Sequence, residues 1–251
     1  MALLVQFLLR LTFGLALGMA LTSPKLVSSG YFRNHLYVTL GLAALAALLS
    51  RSVALAAFWP AVLAAGLSYV GAVGWLYEKA TAGRVALLAV SAFALGGAIA
   101  AGEVPAAASD GLAEWLHRVV PVSSGLLLGT TMAAMLLGHW YLNSPGMELK
   151  PLRQLLVAMS VALGLQLLLS ASGLWGALSD SQLVSTQWIL FVLLRWTFGL
   201  VGVGAMIWMA WQTLRIPNTQ SATGILYVAV IGTFVGETMA LLLSTESVFP
   251  L

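Results

Sequence analysis

Two sets of residues in this chain carry chemistry. The first is a pair of histidines. His35 lies in the run Tyr31-Phe32-Arg33-Asn34-His35-Leu36-Tyr37, and His139 in Gly138-His139-Trp140-Tyr141-Leu142-Asn143. A neutral imidazole is a good axial ligand for haem iron, and two from different helices make a bis-histidine haem b site. Arg33 and Arg153 could hold propionates through charge-assisted hydrogen bonds. Trp140, Tyr141, Tyr31 and Tyr37 could pack on a porphyrin or quinone ring. The competing reading is interfacial anchoring, because Trp, Tyr and His gather at membrane surfaces simply by being amphipathic. The third histidine, His117, stands beside Arg118 and reads as solvated or interfacial.

The second set is ionic. Arg10, Arg195 and Glu237 each interrupt a long apolar run. A charge inside a bilayer costs about 2.5–3.5 kcal/mol on insertion scales, so each needs a partner. Each lies about 12 Å from a helix end at about 1.5 Å per residue. The last two apolar runs are joined by a short loop, so Arg195 is expected to pair with Glu237. Arg10 is then left needing a carbonyl, a water or an anionic ligand. One reading is an outward-facing site for an anion or a carboxylate-bearing cofactor. The other is a structural ion pair with an arginine snorkelling toward lipid phosphate.

Other chemistries lack their residues. There are no cysteines, which excludes disulfides, iron–sulfur clusters and thiolate zinc sites. The chain has no phosphate-binding GxxxxGK loop, HExxH zinc motif, acidic DDxxD-type cluster or GxGxxG turn. Ser123-Ser124-Gly125 has no histidine at its own level, so hydrolysis is not expected. No enzyme activity of the chain on its own is expected, and no cofactor beyond a haem b or quinone.

The elements that must position these groups follow from composition. Of 251 residues, 61% are hydrophobic and only 8% charged, against about 25% charged in a soluble domain. Such a chain cannot cover its own surface with polar groups, and a bilayer removes that need. About 20 apolar residues cross the hydrocarbon core as a helix. Spans are expected over 2–21, 35–50, 53–77, 83–101, 119–142, 151–175, 187–212 and 222–244. Breaks fall at Pro24, Arg51, Lys79, Pro105, Pro145, Asp180 and Pro217. Segments 111–118 and 174–183 read as interfacial pieces. The N-terminus lacks a basic leader and Arg10 cuts its apolar stretch, so it reads as the first span and not a cleaved signal. The fold class is an all-α, polytopic membrane helix bundle forming a single transmembrane domain over 1–251.

Lys25, Arg33, Lys79, Arg84, Lys150, Arg153 and Arg215 fall in odd-numbered loops, whereas the even loops hold only Arg51 and Arg118 beside Glu103, Asp110, Glu114 and Asp180. The positive-inside rule then puts the odd loops in the cytoplasm and both termini outside, periplasmic if the membrane is a bacterial inner membrane. His35 and His139 fall at the cytoplasmic edge.

Two self-similarities suggest parallel duplication. LLRLTFGL at 8–15 and LLRWTFGL at 193–200 agree at seven of eight positions and align Arg10 with Arg195. LTSP at 21–24 and LNSP at 142–145 each follow a helix and precede an arginine. A parallel repeat of a two-helix hairpin would explain both matches. A four-plus-four duplication, with pseudo-repeats 1–101 and 119–244, would explain the second only. Parallel repeats occur in transporters and in cofactor-holding bundles.

Three functions fit. The foremost is a membrane subunit of a redox complex holding quinone or haem b between His35 and His139. The next is a secondary transporter or channel for a small anion or organic acid. The last is a scaffold or assembly subunit. Membrane lipids and other membrane subunits are the expected partners, and nucleic acid is not. The haem version requires a Soret band in the visible spectrum of purified protein, lost in His139→Ala.

Overall fold

The computed structural model describes residues 1–102, 111–144, 146–179, 185–216 and 218–250. The breaks expected at Pro105, Pro145, Asp180 and Pro217, and the loop charges Glu103 and Asp110, lie outside them. Among the described residues, eight helical stretches are long and apolar enough to cross a membrane. They are α1 (Ala2–Leu21), α2 (Ser29–Val53), α3 (Leu55–Leu76), α4 (Ala80–Ala100), α5 (Gly111–Asn143), α6 (Lys150–Ser179), a seventh span of α7 (Thr186–Leu194), a π-helical turn (Arg195–Gly202) and α8 (Val203–Arg215), and α9 (Thr219–Glu246). The chain is a polytopic membrane helix bundle. An even number of spans returns both termini to one face, here termed the terminal face.

Three boundaries differ from the sequence reading. The second span starts at Ser29 and not near 35, so Tyr31, Phe32, Arg33 and His35 are helical. The run Ser28–Asn34 resembles a loop in composition, but its Tyr31 and Phe32 are buried, and Tyr31 Oη donates to the Ala133 carbonyl of α5 at 3.2 Å. Residues 111–118 are not a separate interfacial piece but the first turns of α5, which continues through Pro121. Residues 174–179 likewise belong to α6.

α1 is buried nearly all round, as are the middle turns of α5. The two run parallel and touch backbone to backbone. Gly14 and Gly18 of α1 meet Gly125, Gly129 and Ala133 of α5. A Cβ on Gly14 would lie 1.8 Å from the Gly125 carbonyl oxygen, and one on Gly129 would lie 1.9 Å from the Gly14 carbonyl carbon. Both helices carry small residues four apart, the pattern that lets membrane helices approach closely when apolar burial gives them no mutual drive. Around this pair each half of the chain repeats one order of neighbours. α1 touches α2 and α4, α2 touches α3, and α3 touches α4. α5 touches α6 and α9, α6 touches α8, and α8 touches α9.

The second close crossing joins the seventh span to α9. The π turn widens the helix over Arg195–Gly202, and Gly199 rests on Gly236, where an added Cβ would lie 2.5 Å from the Gly236 Cα. π turns inside α-helices occur mostly where function requires a re-aimed side chain. Here the turn begins at Arg195.

Gly129→Ala is expected to destabilise the bundle by at least about 2–3 kcal/mol, the cost of overpacking a rigid contact. Gly164→Ala, on α6 with open space around it, is expected to be neutral or slightly stabilising. Unfolding in mixed micelles compares the two.

Candidate functional site

Arg10, Arg195 and Glu237 form one buried cluster. Their relative exposures are 6%, 2% and 2%. Arg10 Nη1 lies 2.5 Å from Glu237 Oε1, while Arg195 Nη1 stands 4.0 Å from Oε2 of the same carboxylate. The expected Arg195–Glu237 pair is present, and Arg10, expected to need another partner, joins the same carboxylate more closely. Glu237 engages Arg10 directly and Arg195 only at the limit of an ion pair. The short loop does make the seventh span and α9 neighbours. The backbone contact at Gly199–Gly236 sets their spacing, and the Gly14–Gly129 contact brings Arg10 closer still.

Neutral oxygens complete the cluster. Arg10 Nη1 donates to Ser124 Oγ at 3.2 Å and Nη2 to Gln6 Oε1 at 2.8 Å. Gln6 Nε2 in turn donates to the Ala101 carbonyl at 3.2 Å, which fixes the amide orientation. Arg195 Nη2 donates to Ser170 Oγ at a long 3.4 Å. Ser123 Oγ bonds Gln166 Oε1, one helical turn from Ser170. The buried Nε atoms of Arg10 and Arg195 and the Nε2 of Gln166 have no partner among the described residues.

The repeated octapeptide explains this geometry. In LLRxTFGL the arginine and the glycine are four residues apart and share one helix face. Each glycine makes a backbone crossing, Gly14 on α5 and Gly199 on α9. Each arginine, one turn toward the terminal face, reaches Glu237 and a serine.

Two arginines and one carboxylate leave one positive charge in the cluster among the described residues. A cavity of about 600 Å³ opens beside it from the terminal face. Gln6 and Arg10 form its floor, and Val120, Pro121 and Ile99 belong to its walls. His117 and Arg118 also line it, with Met1 and Pro250 of the two termini. His117 bonds the Val248 carbonyl through Nε2 at 2.9 Å, and Arg118 pairs with Glu114 at 2.5 Å in the open. Among the described residues, Arg10 is thus the one buried cation that the cavity reaches.

The histidine set lies at the opposite end of the bundle. His35 is buried, with Nδ1 2.6 Å from the Tyr31 carbonyl, and this oxygen can only accept. The imidazole therefore carries a proton on Nδ1. Tyr31 and Trp140 pack on the His35 ring at centroid distances of 4.6 and 6.2 Å. Phe32 stacks on Trp75 at 4.2 Å. His139 is exposed and faces Tyr227 Oη of α9 at 3.3 Å. Trp140 Nε1 donates to Ser28 Oγ at 3.0 Å. The other residues of the set have structural partners. Tyr141 bonds the Glu148 carbonyl and closes the loop between α5 and α6. Arg153 Nη2 donates to the Leu214 carbonyl at 2.9 Å, capping the end of α8. Arg33 is half-buried at the start of α2.

Gln6 and Ser170 were not singled out by sequence. Gln6 had a signal: a polar side chain one turn before Arg10 on the same face of an apolar helix. Ser170 had none, because serines occur throughout these spans.

Comparison of the chain with protein-family models, with curated proteins and with solved structures finds no match in any of the three. The site must be read from its own chemistry.

Removing one member of a buried ion pair strands the other and costs about 3–5 kcal/mol. Glu237→Leu is expected to fall in that range, since it leaves two buried arginines. Arg195→Met is expected to cost less than about 1 kcal/mol, because a neutral Arg10–Glu237 pair remains. Thermal unfolding in detergent of both variants checks the order, and an Arg195→Met variant as damaged as Glu237→Leu contradicts it.

Proposed function

We propose that this protein is a membrane carrier that takes an anionic group, a carboxylate or a phosphate, into the cavity floored by Gln6 and Arg10. The observation that carries this reading is the charge surplus. Two buried arginines share one carboxylate, and the nearer arginine lines an open cavity. A purely structural pair needs only one arginine. The second becomes useful when Glu237 must release Arg10 to an incoming anion and still have a cation within reach.

Carriage, rather than binding alone, draws support from two features. The same order of helix neighbours recurs in both halves, as in transporters built from repeats around a central site. The cluster also sits at the junction of those halves, about 12–14 Å from the terminal face at about 1.5 Å per residue. With the termini outside, as the loop charges favour, the cavity faces outward.

A redox subunit holding quinone or haem b at His35 and His139 is the second reading. The anchored Nδ1 of His35 favours it, since ligand histidines are commonly oriented by such a bond. It requires Trp140 and Tyr31 to yield the space against that ring. The anion reading requires Glu237 to release Arg10 but leaves the aromatic packing around His35 intact.

An anion that binds only the folded state stabilises it by about 2.7 kcal/mol at one hundred times its dissociation constant. Millimolar glycerol 3-phosphate or succinate is expected to raise the unfolding temperature of the purified protein, and reconstituted vesicles are expected to accumulate the labelled anion. Gln6→Leu is expected to weaken the effect about tenfold, the size of one lost hydrogen bond to a charged group. No thermal shift with either anion overturns the reading.

A further inference from the structure

The cavity beside Arg10 continues into a second, apolar one. Met1, Leu3 and Leu241 line both. The second is a groove of about 480 Å³ between α1 and α9, completed by Leu4, Phe7, Phe234, Thr238 and Leu242. Its deep end closes where Phe7 and Phe234 meet edge to face, 5.1 Å apart at 84°. At the same level the salt bridge from Arg10 to Glu237 joins the same two helices. Leu4 is 43% exposed and Thr238 is exposed, so the groove opens sideways from the bundle at membrane depth.

One ligand would meet two chemistries here. The cavity offers the Arg10 guanidinium, the amide of Gln6, and Arg118 near the mouth. The groove offers aliphatic and aromatic carbon, and it runs from Met1 to Phe7, about 9 Å of helix. A hydrophilic anion matches the first and leaves the groove unused. A zwitterionic lipid matches the groove but brings a cation toward Arg10. An anionic headgroup on a hydrocarbon chain matches both.

We infer that the ligand is an anionic lipid of the surrounding leaflet. Its headgroup enters the cavity above Gln6 and Arg10, and one acyl chain lies in the groove between α1 and α9. This rests on the anion reading and names its ligand class. Lateral access explains why the cationic cavity and the lipid-facing groove share a rim. Each methylene buried in the groove raises affinity about fourfold, from about 0.8 kcal/mol per CH₂.

The test uses the full-length protein and native mass spectrometry with three probes. These are a lysophosphatidylglycerol, a lysophosphatidylcholine of the same chain, and glycerol 3-phosphate. Lysophosphatidylglycerol is expected to bind at least tenfold more tightly than either of the others. Leu242→Trp, which fills the groove, is expected to lower that affinity at least tenfold and leave glycerol 3-phosphate binding unchanged. Glycerol 3-phosphate binding as tightly as lysophosphatidylglycerol overturns the lipid assignment and keeps the anion site. Equal binding of the two lysolipids reduces the groove to ordinary lipid contact and overturns the assignment. Binding of none of the three removes both the lipid assignment and the anion site.

Discussion

Glu237 holds two buried arginines, and much of the bundle is arranged so that it can. Three charges about 12–14 Å from the terminal face need ligands for every available proton and lone pair. Four elements supply them: α1 gives Arg10 and Gln6, α5 gives Ser124, α6 gives Ser170, and α9 gives Glu237. The seventh span adds Arg195 and deforms into a π turn where that residue begins. Moving any of these helices by an ångström would lengthen a hydrogen bond in a medium that offers no replacement water.

Close backbone approach is the means. Lipid tails are as apolar as leucine, so helices in a bilayer are not driven together by burial. Contact area and polar contacts must hold them instead. Gly14 on Gly125 and Gly129, and Gly199 on Gly236, bring pairs of helices nearer than any larger residue would allow. Each crossing lies one turn from an arginine of the repeated octapeptide. Packing and electrostatics therefore meet at the same level, and a glycine in this protein acts on the charges as well as on the fold.

The two ends of the bundle have different characters. The far end is aromatic and filled: Tyr31, Phe32, Trp75 and Trp140 interlock around His35, and Arg84 and Arg153 cap helix carbonyls there. At the terminal end the described residues leave a cavity that reaches Arg10, with an apolar groove beside it. A ligand entering from the terminal face meets a preformed site, whereas one entering from the far face must displace aromatic side chains. Preorganised cavities bind without that cost, which is the physical reason for preferring the anion reading to the redox one.

Composition and the length of the apolar runs alone pointed to a membrane bundle of eight spans, because a chain 8% charged cannot cover its own surface in water and continuous runs of about 20 apolar residues cross a bilayer as helices. They also marked Arg10, Arg195 and Glu237 as the charges that need partners, since an ion in an apolar run is costly wherever it sits. Sequence placed the start of α2 too late, because the Ser28–Asn34 run is polar in type and the contact of Tyr31 with α5 is tertiary. Which arginine takes the carboxylate was a tertiary decision. Adjacency along the chain favoured Arg195, but the spacing between helices is set by glycine contacts far apart in sequence. Those contacts bring Arg10 within 2.5 Å of Glu237 and leave Arg195 at 4.0 Å.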